Sequence, residues 1–225
     1  RFAEGSGLPV KISVIELIEI GAGGGSIARV DELGLLRVGP QSAGSQPGPA
    51  SYGRGGTKPT VTDADFLLGY LNADYFAGGT MAIDLAAAKA AFDPICRAAG
   101  LSLAEAAWGV YDVVNENMAS AARVHIAERG KDPRDYALLP TGGAGPVHAY
   151  YVARKLGLPR LICPPAAGVA SAVGLLMAPA RVDRAATFIA SVDDLEWKRL
   201  EAIYRSLEDD AREVIAATGL SARSA

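Results

Sequence analysis

The order of apolar and polar positions divides the chain into recognisable elements. Ile12 to Ile20 is rich in isoleucine and valine and ends at a glycine cluster, which predicts a strand. Ile27 to Asp31 and Leu35 to Val38 flank a tight Glu-Leu-Gly turn, so a hairpin follows. Helical patterning begins at Thr62, where Asp63 and Asp65 precede Phe66, Leu67, Leu68, Tyr70 and Leu71; another helix starts near Asp84. Ser102 with Glu105 forms a capping box that opens a long alanine-rich helix. Ala107, Val110, Val114, Met118 and Ala121 recur along it every three or four residues and mark its core-facing stripe. Gly130 suits the position just past the helix end, and Pro133 follows. A compact unit comes next: strand Tyr136–Leu139, the loop TGGAGP, helix Val147–Leu156 stopped by Gly157, and strand Arg160–Cys163. Val192 to Thr218 is amphipathic and charged, predicting a surface or inter-domain helix. No internal repeat is visible.

Leu161 to Ala180 carries no charge over 20 residues, which is membrane-spanning length. Pro164, Pro165 and Gly168 break its first half, so a buried strand, a turn and a short buried helix are expected instead, and no membrane partner. Composition agrees with a globular chain. Of 225 residues half are hydrophobic and 21% charged, with a net charge of −3, which excludes a disordered or disulfide-scaffold class and supplies no basic footprint for nucleic acid. The two cysteines, Cys96 and Cys163, match no zinc spacing and are expected to be buried reduced thiols. Two histidines, His125 and His148, rule out a His-rich metal centre and disfavour covalent nucleophilic catalysis. The first residues, RFAEGSGLPV, resemble no signal peptide and read like a chain entered part-way through.

The unusual component is 26 glycines and 13 prolines, gathered in a few segments. Residues 39–57 contain Arg54 as their sole charge, so an ordered loop folded on the protein or a ligand is expected rather than a solvated linker. Arg54 meets an anionic group or sits at a solvated tip. In Gly21-Ala-Gly-Gly-Gly-Ser26, between two strands, backbone N–H groups can turn inward as an anion nest for phosphate, with Ser26 adding a hydroxyl. The segment has no Walker lysine and no third glycine of a dinucleotide fingerprint, and a plain hairpin bend is its other reading. Gly142-Gly-Ala-Gly-Pro146 lies between a strand and a helix, placing N–H groups at a helix N-terminus where open α/β sheets bind ligands. Pro146 fits the first helical turn. A ligand-free strand-to-helix turn is the alternative. Both loops together describe the second lobe of an actin-like ATPase: α/β, ribonuclease H-like, a mixed sheet with helices on both faces.

Longer stretches carry a more specific likeness. IGAGGGSIARVD, GPQSAGSQPGPASYGRGGTKPTVTDADFLLGYL, NENMASAARVHIAERGKDPRDYALLPTGGAGPVHA and PPAAGVASAVGLLMAP resemble the hydantoinase A / 5-oxoprolinase family, from about residue 8 to residue 190. The resemblance implies that residues 1–190 form the second actin-like lobe and that 191–225 extend towards a further C-terminal region. It places Gly23, Gly24, Gly25 and Ser26 in the second phosphate loop, and Gly142, Gly143, Gly145 and Pro146 in the adenosine turn. Ser51, in GPASYG, stands where a cysteine is common. The family's first lobe, with its own phosphate loop of DxGGTFTD type, is not in this sequence, so the chain resembles a piece of a longer polypeptide.

The implied activity is ATP-dependent opening of a five-membered cyclic amide or imide, of the hydantoin or 5-oxoproline type. ATP and Mg²⁺ or another divalent metal are the implied cofactors. A small cyclic amide, a hydantoinase B-type subunit or domain, and an oligomer are the implied partners, in the cytoplasm. Two alternatives remain at this point: a nucleotide-binding subunit of an acetone- or acetophenone-type carboxylase, and a non-catalytic nucleotide-binding module. Among carboxylates Asp63 is the catalytic candidate, with Asp65 and His148 as metal candidates; the competing role for the two aspartates is as helix N-terminal charges. Asp31 belongs to the same group or to the hairpin turn, and His125 to a packed or surface position.

Overall fold

The computed structural model describes residues 17–219, so Ile12 to Glu16 of the predicted first strand lie outside them; Leu17 to Ile20 are irregular and exposed. The chain divides into two compact units, Ile18–Gly174 and one that includes the residues from Leu175 onward. The 190/191 boundary expected from sequence falls inside the second unit.

In the larger unit the hairpin forms as predicted. Strands β1 (Ser26–Val30) and β2 (Leu36–Ser42) pair antiparallel, with Ala28 opposite Val38 on the buried face. Asp31 takes the turn role. Its Oδ1 accepts from the N–H groups of Leu33 and Leu35, and its Oδ2 from Arg37 Nε at 2.8 Å. The Arg37 hydrogen bond holds this carboxyl below the usual range.

The Gly/Pro connector is ordered, as its composition predicts. Gly48 to Ser51 are buried, and Ala50–Tyr52 make a 3-10 turn against the next helix. That helix, α1 (Val61–Leu67), starts at Thr60, which shares a capping box with Asp63. The Asp63 carboxylate does more than cap. It accepts from Ser51 N at 2.8 Å, Ala50 N at 3.2 Å, Thr60 N at 2.9 Å and Thr60 Oγ1 at 2.8 Å, and the residue is fully buried. A negative charge is tolerated there because a helix N-terminus and converging donors replace its water.

Helices α2 (Leu85–Ala99) and α3 (Leu103–Ala127) carry the core, capped by Asp84 and by the Ser102–Glu105 box. Ala107, Val110 and Val114 of the predicted stripe are buried among Ala28, Val38, Val61, Ala64, Phe92 and Ile95. Small side chains let α3 approach the hairpin closely: a Cβ on Gly109 would stand 3.0 Å from Leu36 Cδ2. Further along, Ala119 packs on Val152 and Leu156 of α4 (Gly145–Leu156). Helix α3 is thus a spine touching α1 near one end and α4 near the other. The β–loop–α–β unit also forms, with β3 (Ala137–Leu138) and β4 (Arg160–Leu161) parallel. Parallel and antiparallel pairings are both present, but as two separate two-stranded sheets among the described residues rather than one continuous sheet.

Three burial expectations fail, the first at the strand, since Arg160 and Leu161 of β4 and the following Ile162 are exposed. Helix α5 (Ala170–Met177) is short and apolar as expected, yet none of its residues is buried, and Cys163 is exposed while Cys96 is half-buried. Apolar composition states which surface gains from being covered, not what covers it. No helix among the described residues is long and apolar enough to cross a membrane. In the second unit α6 (Trp197–Ala217) gathers Leu200, Ile203, Tyr204 and Leu207 beside Phe188, and pairs Glu201 with Arg205 and Glu208 with Arg212 on its polar side.

Replacing Asp63 by alanine orphans three buried backbone N–H groups and a hydroxyl at once. Chemical denaturation is expected to show a loss of about 3 kcal/mol or more. A loss below about 1 kcal/mol would show that Asp63 does not tie the connector to α1.

Candidate functional site

The glycine loops, more than 100 residues apart in sequence, meet in space. The first closes on itself: Ser26 N donates to Gly23 O at 2.9 Å, and Ser26 Oγ accepts from Gly23 N at 3.0 Å. The Ser26 hydroxyl is therefore turned inward and shapes the loop. Gly24 O accepts from Thr62 N at 2.8 Å, and a Cβ on Gly24 would stand 2.6 Å from Thr62 Oγ1, so glycine is required here by α1 itself. Gly25 is held likewise against Ser42 and Ala43 of the connector. Gly23 differs, because a Cβ there meets nothing within 4 Å.

The second loop runs into α4 directly. Gly145 and Pro146 lie in the helix's first turn, one residue or two before the predicted start, and no side chain caps that N-terminus. Gly142 has φ of 87° and donates to Ala167 O, which fixes the loop's outer edge. A Cβ on Gly143 meets nothing within 4 Å. Pro146 has no N–H to offer and Val147 N is held by Ala144 O at 3.1 Å, so what this uncapped helix start offers an anion is mainly its positive dipole end.

Both loops line two adjoining cavities. A cavity of about 300 Å³ has Gly24, Gly25, Thr62 and Asp65 on one side and Gly143 and Ala144 on the other. A second, of about 330 Å³, lies between Ala22 and Gly23 and the Thr141–Gly145 stretch, with Met118, Leu138 and Val152 giving an apolar wall. His148 lines the second cavity and Asp65 the first.

Asp63 and Asp65 are two residues apart on one short helix, and the structure gives them opposite characters. Asp63 is saturated by the fold and serves as a structural tie, not as a group available to a ligand. Asp65 is 1% exposed, and its Oδ1 has no hydrogen-bond partner. Burial, reinforced by the neighbouring Asp63 charge, pushes its pKa up to about 7. Facing it at 3.7 Å is His148 Nε2, also buried and without a hydrogen bond. Burial pushes the His148 pKa down to about 4.

Sequence inspection missed the residues that frame this pair. His148 Nδ1 lies 3.0 Å from Asn115 Oδ1. Its ring stacks on Tyr111 at 5.1 Å, and Tyr111 stacks on Tyr70 at 4.8 Å. Tyr111 in turn donates to Val147 O at 2.7 Å, pinning the first turn of α4 to α3. A signal was present: Asn115 sits four residues from both Tyr111 and Ala119, a polar residue on a buried helical row. Arg54 lies over the Tyr52 ring at 6.0 Å on the exposed side of the connector, and His125 Nδ1 lies 2.9 Å from Arg129. Neither reaches the cavities.

The profile of the hydantoinase/oxoprolinase family matches residues 2–184. The chain belongs to this family. It is 40% identical over 200 residues to the caprolactamase subunit alpha of Pseudomonas jessenii, covering 88% of this chain and 29% of that one. It is 46% identical over 167 residues to the acetophenone carboxylase gamma subunit of Aromatoleum aromaticum, covering 73% of this chain and 22% of the other. The fold matches a nucleotide-free acetone carboxylase structure with a TM-score of 0.75 and 30% identity over 90% of this chain and 30% of that chain. The actin-like ATPase class expected from the two glycine loops is the fold the chain shares with these proteins. The chain spans less than a third of the length of each.

Because the folded Asp65 retains its proton to about pH 7 while an unfolded aspartic acid releases it near pH 4, Asp65 destabilises the fold progressively as pH rises between those values. His148 acts in the opposite direction, since the unfolded chain takes up its proton as pH falls from about 6.5 to about 4. Asp65→Asn, with chelator present, is therefore expected to be more stable than the parent by about 2 kcal/mol at pH 7 and no different at pH 4. Thermal melts across that range measure it, and a destabilised variant at pH 7 would mean that Asp65 is satisfied by the fold.

Proposed function

We propose that this chain is the second nucleotide-binding lobe of an ATP-dependent amidohydrolase that opens a small cyclic amide or imide. The observation that carries the proposal is the convergence of the two glycine loops on adjoining cavities, beside a helix start left uncapped. Gly23, Gly24 and Gly25 hold the phosphates, with Ser26 fixing the loop's shape. Gly142, Gly143, Gly145 and Pro146 form the turn that receives the adenosine, whose base suits the apolar wall of Met118, Leu138 and Val152.

Bound ATP would supply a phosphoryl group to the ring amide oxygen, making a poor electrophile open to water. The chain's own share is positional and electrostatic. The positive end of the α4 dipole and those loop N–H groups not already bonded within the protein, as Gly23 N and Gly142 N are, offset charge on the transferring phosphate. The substrate class follows the family's description and the lactam named by the caprolactamase relative. A hydantoinase B-type subunit or domain and the rest of the polypeptide complete the catalyst. Asp65 and His148 are the groups of this lobe free to face the bound ligand.

A second assignment, a carboxylase subunit that uses the same nucleotide lobe, is favoured by the acetophenone carboxylase and acetone carboxylase likenesses. ATP-dependent ring opening of hydantoin, 5-oxoproline or caprolactam by the complete enzyme distinguishes them from bicarbonate-dependent consumption of a ketone. For the lobe itself, Gly143→Ala and Gly23→Ala add a Cβ that meets nothing within 4 Å, so they are cleaner probes than Gly24→Val, whose Cβ would stand 2.6 Å from Thr62 Oγ1. Each is expected to weaken ATP binding at least tenfold in calorimetry without lowering the melting temperature. Unchanged affinity in both would remove the phosphate and adenosine assignments. The 225-residue chain alone is expected to bind nucleotide without turning it over, and measurable ATPase activity would contradict the two-lobed site.

A further inference from the structure

We propose that Asp65 and His148 hold a divalent transition-metal ion, with Asn115 as the positioning residue that presents the imidazole to it. The inference rests on the donors themselves and needs no nucleotide. Asn115 Oδ1, an acceptor, faces His148 Nδ1 at 3.0 Å, so the ring proton sits on Nδ1 and Nε2 presents a bare lone pair. Opposite that lone pair, at 3.7 Å, is a carboxylate oxygen of Asp65. With the carboxyl ionised, as metal ligation requires, these are two acceptors buried face to face, both residues 2% exposed or less, and they repel unless something positive lies between them. A shared proton would draw them to about 2.7 Å. Two ligands of one tetrahedral ion, at about 2.0–2.2 Å each, lie about 3.4 Å apart, which this pair reaches with a few tenths of an ångström of closure.

The second coordination sphere has the form metal sites use. The ligating imidazole donates its other N–H to an oxygen that fixes its tautomer. Tyr111, stacked on the ring and bonded to Val147 O, locks its plane. The donor set selects the metal: one imidazole nitrogen and one carboxylate oxygen suit Mn²⁺ or Zn²⁺, whereas Mg²⁺ prefers oxygen alone. Among the described residues no third His, Cys, Asp or Glu joins them. The remaining positions are therefore open to water or to an anionic ligand from the cavity that Asp65 lines, which is the arrangement of a reactive site rather than a structural one.

The test is Mn²⁺ binding to the chelator-treated full chain in the absence of nucleotide. Calorimetry is expected to give one tight site, and pulsed electron paramagnetic resonance to show ¹⁴N modulation from one imidazole. His148→Gln should abolish that modulation, Asp65→Asn should weaken Mn²⁺ at least tenfold, and Asn115→Ala should weaken it about tenfold while keeping the modulation. If His148→Gln does not fold, ¹⁵N-histidine labelling of the parent reads the same contact, because the ¹⁴N pattern must then disappear. Absence of a tight site, a site with no imidazole signal, or equal affinity in Asp65→Asn would each overturn the proposal. A site that survives when Gly143→Ala has lost nucleotide binding would support it independently of the nucleotide assignment.

Discussion

The fold around the cavities depends on one buried carboxylate. Asp63 draws Ala50, Ser51 and Thr60 to the start of α1, and in doing so it converts a glycine- and proline-rich connector into a fixed wall. A loop with so many turn formers has high conformational entropy when free. Charge-assisted hydrogen bonds in a dry environment are strong enough to offset that entropy, and they are directional enough to select one path for the chain. With α1 anchored, Thr62 can seat the first glycine loop through Gly24. The position of that loop is thus inherited from Asp63 through a single turn of helix.

The same turn carries the opposite case. Asp65 is as buried as Asp63 but receives no compensating donor on Oδ1, so it costs stability that a structural residue would not. A buried carboxyl oxygen without a partner beside a cavity is what a binding or reactive group exhibits. His148 reaches the same place from α4, with a depressed basicity that keeps its lone pair free. The long helix α3 makes the meeting possible: its Tyr111 and Asn115 support the ring, and its apolar row holds the hairpin and α1 on the other side. Saturated and unpartnered polar groups are therefore interleaved on one framework, distinguished by how many donors point at them.

Much of the framework was legible because it is local. Capping at Ser102–Glu105, the hairpin around Asp31 and Gly34, and the strand–loop–helix around Gly142 each need only neighbours in sequence. Burial was legible only where periodicity carried it, as along α3. It failed at Cys163 and α5, where a uniformly apolar run has no periodic face and the covering surface cannot be read from the run itself. The second role of Ser26, as an acceptor that closes the turn on Gly23 N, is not legible from its residue type, which signals only a hydroxyl. Asn115 went unremarked because a lone asparagine in a helix is common, and its meaning appears only when His148 is set beside it.

By itself, then, the sequence determined the two glycine loops, their strand and helix contexts, and the membership that long shared stretches disclose, since all of these are written in contiguous residues. It could not choose between Asp63 and Asp65, which share a residue type, a helix and a motif. Only the tertiary structure decided that. The choice turns on whether backbone donors from Ala50 and Ser51 or an imidazole from the far side of the fold stand opposite each carboxylate, and hydrogen-bond partners at such separations are set by packing rather than by local preference.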